Sequence, residues 1–221
     1  MKRVLIYVVS TLPDAPVSPA TGLAASQLRR IRAIVDAAVG LAEQGGFDAV
    51  RLRDVAETSG VALGTLYKYF PSKEAILLYA VNEGNEGLER LMVEEPPRGD
   101  TPAERASDFF ARATGTFTRR PDFARAVLRA IAASDQATAT QQAGFHLRIG
   151  RMIIAALRGE VPDGSLPLSE SIGSAREQSI ALILNHVWFA ALLGWSSGLH
   201  DADTVADRMS QAIDLMLGGP I

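Results

Sequence analysis

The chain has 221 residues, 48% of them apolar, and a formal net charge of −3 at pH 7. That suffices for one ordinary domain, or for a small domain fused to a medium one, with material for a substantial core. Cysteine is absent, which excludes disulfides, zinc–thiolate sites and cysteine nucleophiles and fits a reducing compartment such as the cytoplasm.

The acidic balance argues weakly against nucleic acid, but the charge is unevenly spread. Residues 26–75 carry seven basic and six acidic side chains, whereas from 76 onward there are 13 basic and 18 acidic. Only the front end is therefore suited to meet phosphate.

Residues 1–25 read as a tail. They open basic and then apolar (Lys2, Arg3, then Val4 to Val9), the order of a secretory leader, but no small-residue cleavage pattern follows closely. Pro13, Pro16 and Pro19 make a linker. From Ser26 the periodicity is helical nearly throughout. Leu28, Ile31, Val35, Ala38 and Ala42 form one face of a first helix, which Gly45-Gly46 stops. Short helices over 52–59 and 63–70 follow, then Pro71, then a fourth helix capped by Ser72 and running to about Glu94. Five more helices are expected near 102–118, 122–132, 138–158, 169–197 and 201–217. The loop 159–167, with its prolines and glycines, is the most mobile interior candidate. The longest apolar stretch, 180–195, contains Asn185 and His186 and falls short of the roughly 20 residues a spanning helix needs, so it reads as a buried helix with no membrane role. The expected fold is all-α, about nine helices. A three-helix head (26–75, with a helix-turn-helix at 51–70) precedes a larger helical body for ligand binding and dimerisation (76–221).

The segment 51–70 carries the chemistry. Two steeply crossing helices need a small residue at their contact and a turn residue tolerant of positive φ; Ala56 and Gly60 supply these. Leu52, Val55, Val61, Leu66 and Phe70 are spaced to bury. Leu63, Gly64, Thr65, Tyr67, Lys68 and Tyr69 remain outside, a short, hydrogen-bonding, aromatic surface suited to a DNA major groove. Arg51 and Arg53 stand at the start of the preceding helix.

The stretch Gly64-Thr65-Leu66-Tyr67-Lys68-Tyr69-Phe70-Pro71-Ser72-Lys73-Glu74 resembles the signature of TetR-type repressors, and the likeness extends from about Gln27 to Glu86. The resemblance implies that Thr65 and Tyr67 contact phosphate or sugar and that Tyr69 and Lys73 clamp the backbone, Lys73 at the start of the fourth helix, whose dipole also favours phosphate. It further implies that Leu63, Gly64 and Lys68 approach base edges. Three residues depart from the family pattern. Arg51 and Ala62 stand where helix-capping hydroxyls are usual, each lost cap costing about 0.5–2 kcal/mol. Arg51 offsets its loss if it pairs with phosphate, and Leu63 at a usually polar position suggests contact with a thymine methyl.

In the body, the eighth helix is apolar nearly all round. One stripe (Ile180, Leu184, Val187, Ala191, Trp195), with Met209, Ile213 and Met216 of the last helix, is expected to form a four-helix interface in a homodimer. Phe109, Phe110, Phe145, Met152, Asn185, Trp188 and Phe189 are expected to line an effector pocket, with Phe117, Phe123, His146 and His186 nearby. The stretch 185–195 also resembles actinobacterial repressors of steroid catabolism, which implies a small apolar effector of acyl-CoA or steroid-like character. Arg119, Arg120, Arg125 and Arg129 are open to two readings, CoA phosphate contacts or solvated surface charge.

Gly194-Trp195-Ser196-Ser197-Gly198 matches the G-x-S-x-G nucleophile elbow, but that chemistry needs a strand before the serine, and here a long apolar helix precedes it. The three histidines show no metal-ligand spacing, so no enzyme, metal or cofactor is expected. A helical lipid or acyl carrier without DNA function is the alternative, and it leaves the Gly64–Lys73 surface unexplained. The expected mechanism places two heads in successive major grooves of a near-palindromic double-stranded operator, roughly 34–36 Å apart. An effector then displaces the fourth helix and spoils that spacing.

Overall fold

The computed structural model describes residues 25–133, 139–164, 166–167, 170 and 172–218, with backbone alone for 139–141. The leader-like opening and its prolines lie outside the described residues. Nine helices and no strand occur among the described residues.

The head comprises α1 (Ala25–Ala49), α2 (Leu52–Ser59) and α3 (Leu63–Tyr69). On α1, Ile31, Ile34, Val35, Ala38 and Ala42 are buried, while Leu28 at the fraying end of that stripe stays exposed. The Gly45-Gly46 pair leaves helical geometry, Gly46 at φ 67°, so the last turn carrying Phe47 and Asp48 is swung off the α1 axis.

Helix α4 (Lys73–Glu94) belongs to head and body alike. Ser72 caps it, its hydroxyl accepting from the Ala75 N–H at 3.2 Å. Its first half is buried all round, from Ala75 to Asn82, because α1 covers one side and α6 and α7 the other.

The body adds α5 (Pro102–Thr118), α6 (Pro121–Ala132), α7 (Ala139–Arg158), α8 (Ala175–Ser196) and α9 (Ala202–Leu217). Thr101 and Glu104 form a capping box at α5. Helix α8 starts later than expected. Gly173 turns at φ 81°, and Ser174 with Glu177 makes a second capping box; the Ser-x-x-Glu spacing, rather than the earlier Ser169, marks the start. Arg105 on α5 reaches the end of α7, donating through Nε to the Ala156 carbonyl at 2.9 Å and through Nη2 to Leu157 at 2.7 Å. It thereby satisfies carbonyls that a helix C-terminus leaves open. Helix α8 is long and apolar enough by length and composition to cross a membrane, yet it packs on α6, α7 and α9 within the fold.

Candidate functional site

The two helices of the turn meet as their small residues dictate. Gly60 takes the left-handed conformation at φ 66°, and the Val61 N–H reaches back to the Ala56 carbonyl at 3.1 Å. Val55, Leu66 and Phe70 are buried in the head's core. Neither Arg51 nor Ala62 caps its helix through a side chain. The backbone carbonyl of Ala62 instead receives the Thr65 and Leu66 N–H groups at 2.8 and 3.0 Å.

Seen from outside, α3 presents Gly64, Tyr67 and Lys68, with Arg51 and Arg53 exposed at the start of α2. Tyr67 is 52% exposed, a large aromatic with little to pack on within the chain. A side chain at Gly64 would meet nothing within 4 Å, so the glycine is not demanded by the head's own packing and leaves backbone open to an approaching partner. Thr65 is half-buried, and Leu63 and Tyr69 lean part of their surface on the core.

Lys73 is placed differently from its fellows. Its ammonium donates to the Phe47 carbonyl at 2.9 Å and stands 3.8 Å from the centre of the Phe47 ring. The charge is thus turned toward the end of α1. Arg129 of α6 covers the same ring at 4.8 Å, so two cations, one from α4 and one from α6, meet the Phe47 ring. Sequence periodicity gave no sign of this residue.

The joint between head and body continues along α6. Arg129 pairs with Asp48 at 2.7 Å, and Arg120 pairs with Glu43, which holds the Glu43 carboxyl below its ordinary range. Arg32 of α1 approaches Glu83 of α4 at 3.6 Å. Burial raises the Glu83 pKa and the Arg32 charge opposes that shift. Arg125 pairs with Asp122 at 3.2 Å and lies 5.2 Å from the Trp195 ring. Of the four arginines open to two readings, Arg120, Arg125 and Arg129 are therefore engaged within the chain, two of them fastening α6 to α1. Beside this joint a cleft of about 710 Å³ opens, walled by Phe47, Arg125, Arg129, Leu193, Gly194 and Leu199 among others.

The expected pocket residues fall into two clusters around α8. Phe109 and Phe110 meet edge to face at 5.0 Å between ring centres, and Phe110 lies 5.8 Å from Trp188. The Trp188 N–H donates to the Thr114 hydroxyl at 2.9 Å, a partner the sequence reading missed although Thr114 continues the Phe110 stripe by one turn. The second cluster lies between α7 and α8. Phe145 and Phe189 flank His146 at 5.2 and 5.5 Å, and the Asn185 amide donates toward His146 Nδ1 and the His146 carbonyl, both at 3.3 Å. Burial and the neighbouring His186 lower the His146 pKa. Phe109, Phe110, Phe145, Met152, Asn185 and Trp188 are all buried, and Phe189 is half-buried.

The stripe of α8 expected at a dimer interface also lies inside the protomer. Ile180, Leu184, Ala191 and Trp195 are buried inside the protomer and Val187 is half-buried. They pack against the chain's own helices, because a helix apolar nearly all round offers no amphipathic direction and its neighbours decide which side turns inward. On α9, Met209 and Ile213 are likewise buried and Met216 half-buried. The side of α8 left open carries Leu182 (39% exposed) and Ile183 (47%), with His186 and Ala190 also exposed. At the end of α8, Ser196 and Ser197 donate their hydroxyls to the Leu193 and Gly194 carbonyls at 2.8 and 3.0 Å. Gly198 follows at φ 76°, so the G-x-S-x-G stretch is a helix terminus. Among the described residues no group of His, Asp and Glu is arranged to hold a metal ion.

A head that offers the second helix of a helix-turn-helix, joined by a shared helix to a helical body, defines a DNA-binding transcription regulator. Residues 34–80 match the bacterial regulatory proteins of the tetR family, and residues 99–216 match the tetracyclin repressor-like C-terminal domain. The chain belongs to the tetR family. It is 30% identical over 193 residues to the HTH-type transcriptional repressor KstR of Rhodococcus jostii (strain RHA1), spanning 87% of this chain and 85% of that protein. Among solved structures, a TetR transcriptional regulator from Rhodococcus sp. RHA1 superposes with a TM-score of 0.71 at 21% identity, over 87% of this chain and 97% of its own. The Thermus thermophilus repressor FadR in complex with lauroyl-CoA superposes with a TM-score of 0.60 at 22% identity, over 86% of this chain and 95% of its own.

Proposed function

We propose that the chain is a homodimeric repressor of the cytoplasm that holds a near-palindromic double-stranded operator and is released by a small apolar effector of acyl-CoA or steroid-like character. The observation that carries this reading is the outer surface of α3, where Gly64, Tyr67 and Lys68 stand exposed beside Arg51 and Arg53 and the Gly64 backbone is open to a partner. Thr65 and Tyr69 flank them. The head is assigned to residues 26–75 and the body to 76–221. The buried aromatics around Trp188 support an apolar effector, and the lauroyl-CoA complex of a protein of the same fold supports the acyl-CoA class. The homodimer is assigned to the open face of α8, at Leu182, Ile183, His186 and Ala190, in place of the stripe from Ile180 to Trp195.

Fluorescence anisotropy against DNA upstream of the chain's own gene tests the reading. Specific binding in the range of about 10⁻⁸–10⁻¹¹ M is expected. An acyl-CoA effector should weaken it about 5–150-fold, and operator should weaken effector binding by the same factor. A chain that binds its upstream DNA no better than random duplex sinks the repressor reading. Equal effector affinity with and without operator sinks the release mechanism.

A further inference from the structure

One seam of the body holds buried donors that lack an acceptor. On α4, Asn82, Asn85, Glu86 and Glu89 recur at spacings of three and four and share a stripe. Across from them on α7, Arg148 donates to Glu89 at 2.6 Å and reaches Glu86 at 3.5 Å. One turn further on, Arg151 donates through Nη1 to the carbonyls of Leu166 at 2.9 Å and Pro167 at 3.2 Å. Arg151 is only 9% exposed and Asn85 7%, and the Arg148 side chain is 14% exposed. Yet Arg148 Nε, Arg151 Nη2 and Asn85 Nδ2 are buried with no hydrogen-bond acceptor. Native interiors pair most such donors, and each exception calls for a reason. Burial also pulls the Arg151 pKa down, so this guanidinium gains from any anion that reaches it.

We infer that this seam is the polar end of the effector site and that it takes an anionic oxygen group, carboxylate or phosphoryl, on Arg148, Arg151 and Asn85. The inference rests on the reading of the body as an effector domain. Guanidinium groups offer donors in a fixed fork matched to such oxyanions. The apolar remainder of the ligand runs along the adjoining buried face of α7, at Phe145, Ile149 and Met152. Arrival of the anion takes Arg148 away from Glu86 and Glu89. Those two glutamates lie on the same helix as Lys73, whose ammonium holds the end of α1, so a change in their pairing acts on the helix that sets the head.

Matched probes test this on the full chain by calorimetry: decanoate, decyl phosphate and 1-decanol, and 5β-cholanic acid with its C24 alcohol. At least one anion should bind tenfold or more tighter than its alcohol. Decanoate against decyl phosphate tells which oxyanion the seam prefers. Arg148→Met and Arg151→Met should bring the anion down to the level of the alcohol. Glu86→Gln combined with Glu89→Gln removes the competing negative charges and should tighten the anion severalfold, a gain that a purely structural ion pair does not predict. Circular dichroism melts accompany each variant; if an arginine variant does not fold, the glutamine pair decides. Three outcomes overturn the inference: anion and alcohol binding alike to the wild type, arginine variants weakening both alike, or no probe binding at all. Operator release by alcohols as readily as by acids removes this inference and leaves the repressor reading standing.

Discussion

The open face of α8 gives the sharpest test of assembly. Leu182 and Ile183 keep 39% and 47% of their surface in water within one protomer. Fully burying such a side chain contributes about 1.5–3 kcal/mol, so roughly 1 kcal/mol each remains to be gained, or about 4 kcal/mol for the four side chains of a two-fold pair. Ile183→Glu removes about half of that, and the loss of roughly 2 kcal/mol raises the dimer dissociation constant at least about thirtyfold. The desolvated carboxylate adds to the effect. Because Ile183 is half in water already, the protomer itself should keep its fold. Trp195→Glu makes the contrast. Trp195 is 8% exposed and belongs to the protomer's interior, so that change should lower the melting temperature rather than yield a folded monomer. Sedimentation velocity across a concentration series, with melts of both variants, reads the two outcomes. An Ile183→Glu dimer of wild-type affinity, or a Trp195→Glu monomer of wild-type stability, refutes the assignment of faces.

Three further outcomes are expected. Tyr67→Ala should weaken binding to all operators alike, and Lys68→Ala should in addition lower the salt-dependence slope by about 1 if it meets phosphate, read by anisotropy between 50 and 200 mM salt. Arg105→Ala strands the carbonyls at the end of α7; a loss of about 3 kcal/mol lowers the melting temperature by roughly 6–12 °C for a chain of this size. Glu177 accepts both Arg158 donors at 2.6 and 2.9 Å, and its pKa falls from 4.5 to about 2. A depressed carboxylate stabilises the fold above its unfolded pKa and ceases to do so as pH falls through the folded one, so wild type and Glu177→Gln should differ at pH 7 and converge between pH 4.5 and 2 in urea melts.

The head was legible because its signals are local. Gly60, Ala56, Pro71 and the Ser72 cap each act within a few residues, and the glycine pair at 45–46 breaks α1 wherever tertiary structure places it. The body was legible as helices but not as faces. Helix α8 is apolar on both sides, and packing by α6, α7 and α9 decided which side turned inward. Its start was readable after all, since Ser174 with Glu177 satisfies the capping-box spacing that Ser169 does not. The pairs Arg120–Glu43 and Arg129–Asp48 span 77 and 81 residues, and no periodicity reports contacts at that separation. The α4–α7 seam left a fainter trace. Glu86 and Glu89 are spaced by three on one apolar helix and Arg148 and Arg151 by three on another, and a matched pair of such spacings is a signal of buried charge.

The joint also bears on the proposed release mechanism, because it adds α6 to α4 as an element that holds the head. Displacement of α4 alone must part the Lys73 ammonium from the Phe47 carbonyl, while α6 still holds the same end of α1 through Asp48 and Glu43. Both α6 pairs are largely exposed, and exposed ion pairs contribute about 0–1 kcal/mol each. Two of them, with the stacking of Arg129 on Phe47 at about 0.5–1 kcal/mol, hold the head with a strength close to the 1–3 kcal/mol typical of allosteric coupling. A grip of that size holds the head on the body and is weak enough for the proposed effector to overcome. The end of α1 is thus held by two elements, α4 through Lys73 and α6 through Arg120 and Arg129, and the proposed effector action has to pass through both.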